Sequence, residues 1–397
     1  MKTAHHDRAG DVASTALEPR LPVIPGRGEI AGALSAGEWI SSRDGRHVIF
    51  DREHASKLLA SPNVASPGVD LSRGVPADIL AELLEVVPVM RARKSAMRSA
   101  LGQCLMPRVI EGRRATFRAL FADLLRSVEG REQLDFAQAL SIPYGVRIAA
   151  LTLGLTQDSE REVEAVFSPT GTDPALPFRV ETAVEDERLN AMVDAWLANK
   201  AGLHCEDSKA ALAVAARDTS LTQEELHDAL VDMLVASLHG VAAGLSAVAI
   251  LVASEPAQWQ ALQREPELVN SAVEEILRIA VGRPFINRLV LADFEYDDVY
   301  FRRGDVICVF LAATNAVVRA AVPARPFDIR APKCPHLTFG RGASYCAGAT
   351  MVEIVLVEAL TELTTRLVRM EQTGAAMRTL YAGREYIDSI PMRFLWR

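Results

Sequence analysis

Membrane-length apolar runs, paired cysteines and a basic surplus are all missing from this 397-residue chain. No uninterrupted run of about 18 apolar residues occurs, so no transmembrane helix is expected. The N-terminus carries His5, His6, Asp7, Arg8 and Asp11 and lacks the apolar stretch of a secretory signal, which points to the cytoplasm. The cysteines are odd in number and scattered (Cys104, Cys205, Cys308, Cys334, Cys346). They form neither a disulfide framework nor a CxxC metal pair. Acidic side chains outnumber basic ones, 51 to 43, giving a net charge of −8, which argues against a general nucleic-acid binder. What remains is an ordinary globular composition, 49% hydrophobic and 24% charged, long enough for a sizeable core.

The chain to about residue 27, with Pro19, Pro22 and Pro25, reads as a poorly ordered arm. Residues 28–397 then form one domain. A short strand is predicted at 47–50, and Asp51 is placed to cap a helix over 52–60 with Glu53 in its first turn. A Ser/Gly/Pro-rich loop covers 62–76, and the pattern is mostly helical to residue 277. Beyond Arg288 it changes to short strands at 289–294, 299–301 and 306–311, with a turn at Arg303-Gly304-Asp305. An irregular, proline-rich stretch over 316–337 precedes a last helix at 347–367. A structureless stretch of that length inside a domain usually has a function. The fold class is therefore mainly α, with small β-sheets towards the C-terminus.

The strongest chemical signal is Phe339-Gly340-Arg341-Gly342-Ala343-Ser344-Tyr345-Cys346-Ala347-Gly348. Gly340 and Gly342 permit a tight bend and close backbone approach to a flat partner. Cys346 opens an apolar helix, where N–H groups and the positive helix end favour a thiolate. An axial haem ligand needs such a sulfur with donors around it, and Phe339 is placed to shield it. This segment resembles the haem-binding signature of the cytochrome P450 family of haem-thiolate monooxygenases. It departs at Ser344, where the family usually carries a basic residue or histidine that reaches a haem propionate. The resemblance implies one large helical P450-like domain holding haem b (iron protoporphyrin IX), with Cys346 on the iron and Gly348 at the turn into the helix.

Further positions match that family. Glu275-Ile276-Leu277-Arg278 sets acid and base at i, i+3 on one helix face and is similar to its ExxR motif, which supports the proximal side of the haem. The family's third basic residue falls on Pro326 here, with Arg325 beside it, and Ala316-Val317-Val318 replaces the usual Arg-Asp-Pro. Arg288, expected to open a strand, and Arg98, nine residues before Pro107, match propionate-binding arginines. Lys94 stands where the second of these is normally accompanied by histidine, and His336 is a further candidate donor.

The sharpest departure lies in the predicted helix over 226–254. The family reads Ala/Gly-Gly-x-Asp/Glu-Thr at its centre, where small residues lie over the haem and the acid and alcohol relay protons. The matching residues here are Ala236-Ser237-Leu238-His239-Gly240. Ala236 and Ser237 stay small. His239 takes the acid position and can pass protons near neutral pH. Gly240 takes the threonine position and has no hydroxyl.

The implied activity is oxidation of a mostly apolar small molecule, in secondary metabolism, with electrons from ferredoxin and reductase partners and no membrane or nucleic-acid partner. Two alternatives stand beside it. One is a haem-thiolate enzyme of atypical chemistry, peroxide-dependent or an isomerase or dehydratase, suggested by His239-Gly240. The other is an inactive P450-like activator of a glycosyltransferase, suggested by Ser344, Pro326, Ala316–Val318 and Gly240.

Overall fold

The computed structural model describes residues 38–67, 71, 77–167, 183–198, 211, 221–280, 282–283, 285–316, 327–381 and 384–397. The predicted N-terminal arm, Cys205, Arg325 and Pro326 lie outside these residues. The described chain opens with a hairpin, β1 (Ile40–Arg43) and β2 (Arg46–Ile49). Its two-residue turn, Asp44-Gly45, has positive φ at both positions (51° and 72°), the geometry that matches strand twist. Helix α1 (Arg52–Ala60) starts as expected, with the Asp51 carboxylate accepting from the Glu53 and His54 N–H groups.

After β3 (Val64–Ala65) come α2 (Ala77–Leu101), α3 (Pro107–Gly112), α4 (Arg114–Ser127) and β4 (Gln133–Asp135). Helix α5 (Ile142–Leu153) has Pro143 in its first turn and a left-handed Gly154 at its end. Helices α6 (Gln157–Phe167) and α7 (Ala183–Ala198) lead to the long α8 (Gln223–Ala253). A capping box begins α8: Thr222 Oγ1 accepts from Glu225 N–H, and Glu225 accepts from Thr222 N–H. That box starts the helix about one turn before the predicted 226. Contrary to the expectation of no such segment, α8 is long and apolar enough to cross a membrane by length and composition, although its most apolar stretch is 56% buried inside the fold.

Helices α9 (Pro256–Arg264) and α10 (Val269–Ile279) precede β5 (Phe285–Val290), β6 (Phe294–Tyr296), β7 (Val299–Phe301) and β8 (Val306–Phe310). The predicted strand at 289–294 is thus two strands, and Arg288 sits within β5 instead of opening it. Register decides this: Phe285 to Leu289 pair antiparallel with Phe310 to Val306. The main sheet runs β1-β2-β8-β5-β3. Helix α11 (Leu311–Ala316) follows β8 directly, and α12 (Ala349–Arg366) starts after a Gly348 cap. Strands β9 (Leu367–Gln372), β10 (Met377–Tyr381), β11 (Arg384–Ser389) and β12 (Pro391–Trp396) close the described chain.

The core lies where α8, α12, α4 and α5 meet. Val241, Leu245, Val248 and Val252 of α8 pack with Val355, Leu356 and Ala359 of α12 and with Phe117 and Phe121 of α4. Each of these valine, leucine and phenylalanine side chains contributes roughly 1.5–3 kcal/mol by leaving water. Helices α5 and α8 approach so closely at Gly145 that a Cβ there would stand 2.6 Å from the Leu238 carbonyl oxygen. Two buried acids of α12 are matched from α4: Glu358 by Arg114 (2.6 Å) and Glu362 by Arg118 (2.7 Å). These contacts fix α12, and with it the bend that feeds it.

Candidate functional site

The bend before α12 is set by its glycines. Gly340 and Gly342 have φ of 71° and 72°, left-handed values that disfavour any Cβ. At Gly342 a Cβ would also lie 2.8 Å from the Leu59 carbonyl oxygen and the Ala60 Cα, so the bend is seated on the end of α1. Gly340 N–H donates to Leu337 O (2.8 Å), Tyr345 N–H to Gly342 O (3.0 Å) and Cys346 N–H to Phe339 O (2.9 Å). Cys346 is therefore tied to Phe339 through the backbone, and the Phe339 ring contacts those of His336 and Tyr345. Burial pushes the Cys346 thiol up, while the Gly348 N–H donated to the sulfur and the charges of Arg98 and Arg283 act against it. Ser344 is half-buried in the single 3₁₀ turn Gly342–Ser344.

Two of the predicted arginines come to this bend. Arg98, in the last turn of α2, donates to the carbonyls of Ala343 (2.8 Å) and Tyr345 (2.5 Å). Lys94, one turn earlier, is half-buried. Arg288 is 5% exposed. It shares the face of β5 with Ile286, whose Cδ1 lies 3.6 Å from where a Gly340 Cβ would stand. Its guanidinium donates to Asn287 O (2.9 Å), and no acidic side chain among the described residues pairs with it. Burial, then Arg283 and Arg98, push its pKa down to about 10.

Beneath the bend, Arg278 and Glu275 make a bidentate pair, 2.8 Å on both arms, at 9% and 6% exposure. The third edge of the guanidinium donates to Asn315 O (2.9 Å). His336 faces this side of the molecule: its Nε2 is 3.8 Å from Glu274, whose other oxygen accepts from Lys333 (2.6 Å). Asn315 and Arg283 escaped the sequence reading. A lone asparagine in a six-residue helix has no spacing signal, and Arg283 resembles any exposed cation.

Across from the bend lies α8. Ser237, Leu238 and His239 are buried, while Ala236 is exposed and Gly240 and Ala243 are half-buried. Positions 236, 240 and 243 share one helix face. That face backs onto α12 and the α10–β5 link: a Cβ at Gly240 would be 3.7 Å from Val352 Cγ2, and one at Gly282 would be 3.5 Å from Ala243 Cβ. His239 points off this face, into the protein.

No family model matches the chain. Putative cytochrome P450 YjiB of Bacillus subtilis is 26% identical over 288 residues, covering 70% of this chain and 72% of the relative. Nocardicin C N-oxygenase of Nocardia uniformis is 28% identical over 277 residues, 68% of this chain and 69% of the relative. The structure of cytochrome P450 CYP109Q5 from Chondromyces apiculatus superposes with a TM-score of 0.75 at 18% identity, covering 93% of this chain and 95% of that one. The chain is thus similar in sequence to bacterial cytochrome P450s over about two thirds of its length, and it shares their fold. Those relatives are named as cytochrome P450s and oxygenases, which supports an enzyme of the P450 type, and that type implies a haem cofactor.

The side chains of this chain fit that cofactor. The glycine bend carries a sulfur with an N–H donated to it. Arg288 is a buried cation without an acidic partner among the described residues, which suits a carboxylate. Small residues face the region from α8. The departures also stand: Ser344 has no cationic group, Gly240 has no hydroxyl, and α11 ends on Ala316 where the family usually has arginine.

Proposed function

We propose that this chain is a cytoplasmic haem b monooxygenase that binds iron through Cys346 and oxidises a mostly apolar small molecule of secondary metabolism. The observation that carries the reading is the Cys346 bend, with one backbone N–H donated to the sulfur and Arg98 donating to the Ala343 and Tyr345 carbonyls beside it. Bound there, haem supplies activation of dioxygen for insertion into the substrate.

The chain's own groups divide the remaining work. Cys346 would hold the iron through its sulfur, whose electron density the Gly348 N–H would moderate. Arg288 and Arg98 would hold the cofactor's carboxylates, with Lys94 a turn from Arg98. Glu275 and Arg278 hold the proximal side rigid. Ala236, Ser237 and Gly240 keep α8 low over the substrate region. His239, next to Gly240 but turned off the 236–240 face into the protein, has an imidazole that can exchange a proton near neutral pH and would reach the site through water. Because Gly240 cannot donate a proton, His239, water or a substrate group must do so. Electrons come from a ferredoxin and its reductase.

Turnover with such a redox pair, compared with turnover on peroxide, tests this function. Product formed from NADPH and dioxygen supports it. Product formed with peroxide alone favours the peroxide-dependent alternative that Gly240 suggests.

A further inference from the structure

Residues 327–348 hold no regular element beyond the single turn Gly342–Ser344, yet they carry Cys346. Buried backbone groups in such a segment need partners from elsewhere. One side chain supplies several of them. Asn315 is 1% exposed. Its Oδ1 accepts from Leu337 N–H (2.8 Å). Its Nδ2 donates to Arg278 O (3.1 Å) and to Thr338 Oγ1 (3.0 Å). The Thr338 hydroxyl in turn donates to Leu277 O (2.6 Å).

These bonds form a continuous line. Glu275 fixes Arg278, Arg278 exchanges bonds with Asn315, and Asn315 with Thr338 holds Leu337-Thr338. Leu337 O accepts from Gly340 N–H, and Phe339 O accepts from Cys346 N–H. An amide presents donor and acceptor together; an aspartate presents acceptors only. At 315 a carboxylate oxygen would confront the Arg278 carbonyl, and the Thr338 hydroxyl, already committed to Leu277, would lose its donor.

We propose that Asn315, acting with Thr338, is a positioning residue that locks the sulfur-bearing bend to the Glu275–Arg278 pair. The proposal rests on Cys346 being the haem ligand.

The test uses the full-length, haem-loaded protein and its Asn315→Asp, Thr338→Val and Thr338→Ser variants. Amide hydrogen exchange across 337–346, the ferric/ferrous potential and the carbon-monoxide band of the reduced protein are measured. Asn315→Asp and Thr338→Val are expected to raise exchange at 337–346 about tenfold, the effect of losing one buried hydrogen bond. Exchange in α8 stays unchanged, and the potential and the band shift. Thr338→Ser, which keeps the hydroxyl, restores wild-type values. If Asn315→Asp fails to fold, the smaller Thr338→Val and Thr338→Ser pair decides. Exchange that rises evenly over the whole chain, or a potential and band unchanged in the variants, overturns the proposal while the ligand reading stands. A wild-type protein without a thiolate-type band overturns the ligand reading and the proposal together.

Discussion

Arg288 makes the candidate site testable through stability alone. Burial, with Arg283 and Arg98 nearby, lowers its pKa well below the ordinary guanidinium value, to about 10. At 1.36 kcal/mol per unit, the folded protein without haem carries a cost of about 3 kcal/mol in keeping this guanidinium charged. The folded value lies below the unfolded one, so the cost is complete at every pH below about 10 and fades as pH rises above it. Arg288→Met removes the charge and keeps a flexible side chain. Urea unfolding of haem-free protein should then show a gain approaching about 3 kcal/mol. With haem bound the sign reverses, because a buried carboxylate loses its partner at a cost of about 3–5 kcal/mol. Haem affinity should fall about a hundredfold or more. A variant less stable than wild type without haem, or one that binds haem equally well, would refute the reasoning.

Three further outcomes follow from the packing and charges. Glu275→Gln leaves the Arg278 charge buried against a neutral partner and should cost about 3 kcal/mol in urea unfolding; a loss below about 1 kcal/mol would mean the pair behaves as a surface one. Gly145→Ala drives a methyl group onto the Leu238 carbonyl and should cost about 1–3 kcal/mol, and an unchanged melting temperature would contradict the close approach of α5 and α8. The neighbouring His336, with Lys333, holds the Glu274 carboxyl below its ordinary value against the effect of burial. Its stabilisation is complete above about pH 4.5 and is lost as pH falls through the lowered value, so Glu274→Gln should flatten the acid limb of the stability–pH curve.

Local signals were legible in the sequence. Asp51 before 52–60, the Glu275–Arg278 spacing and the glycines around Cys346 each act within a few residues, and each appears in the structure where its spacing places it. Features that depend on distant partners were not legible. The strand at 285–290 is fixed by pairing with β8, so Arg288 falls inside it instead of at its start. Asn315 joins residues 37 positions before it and 22 after it, and neither neighbour is visible from its own surroundings. The last helix starts at 349 instead of 347, with Gly348 as its cap.

The central claim, that Cys346 binds iron as a thiolate, is tested most directly by the carbon-monoxide difference spectrum of the purified, dithionite-reduced protein beside its Cys346→Ser variant. The account predicts a red-shifted Soret band in the wild type and its loss in the variant. Haem absent from the wild type even after supplementation during expression, or the same band in both proteins, would contradict it.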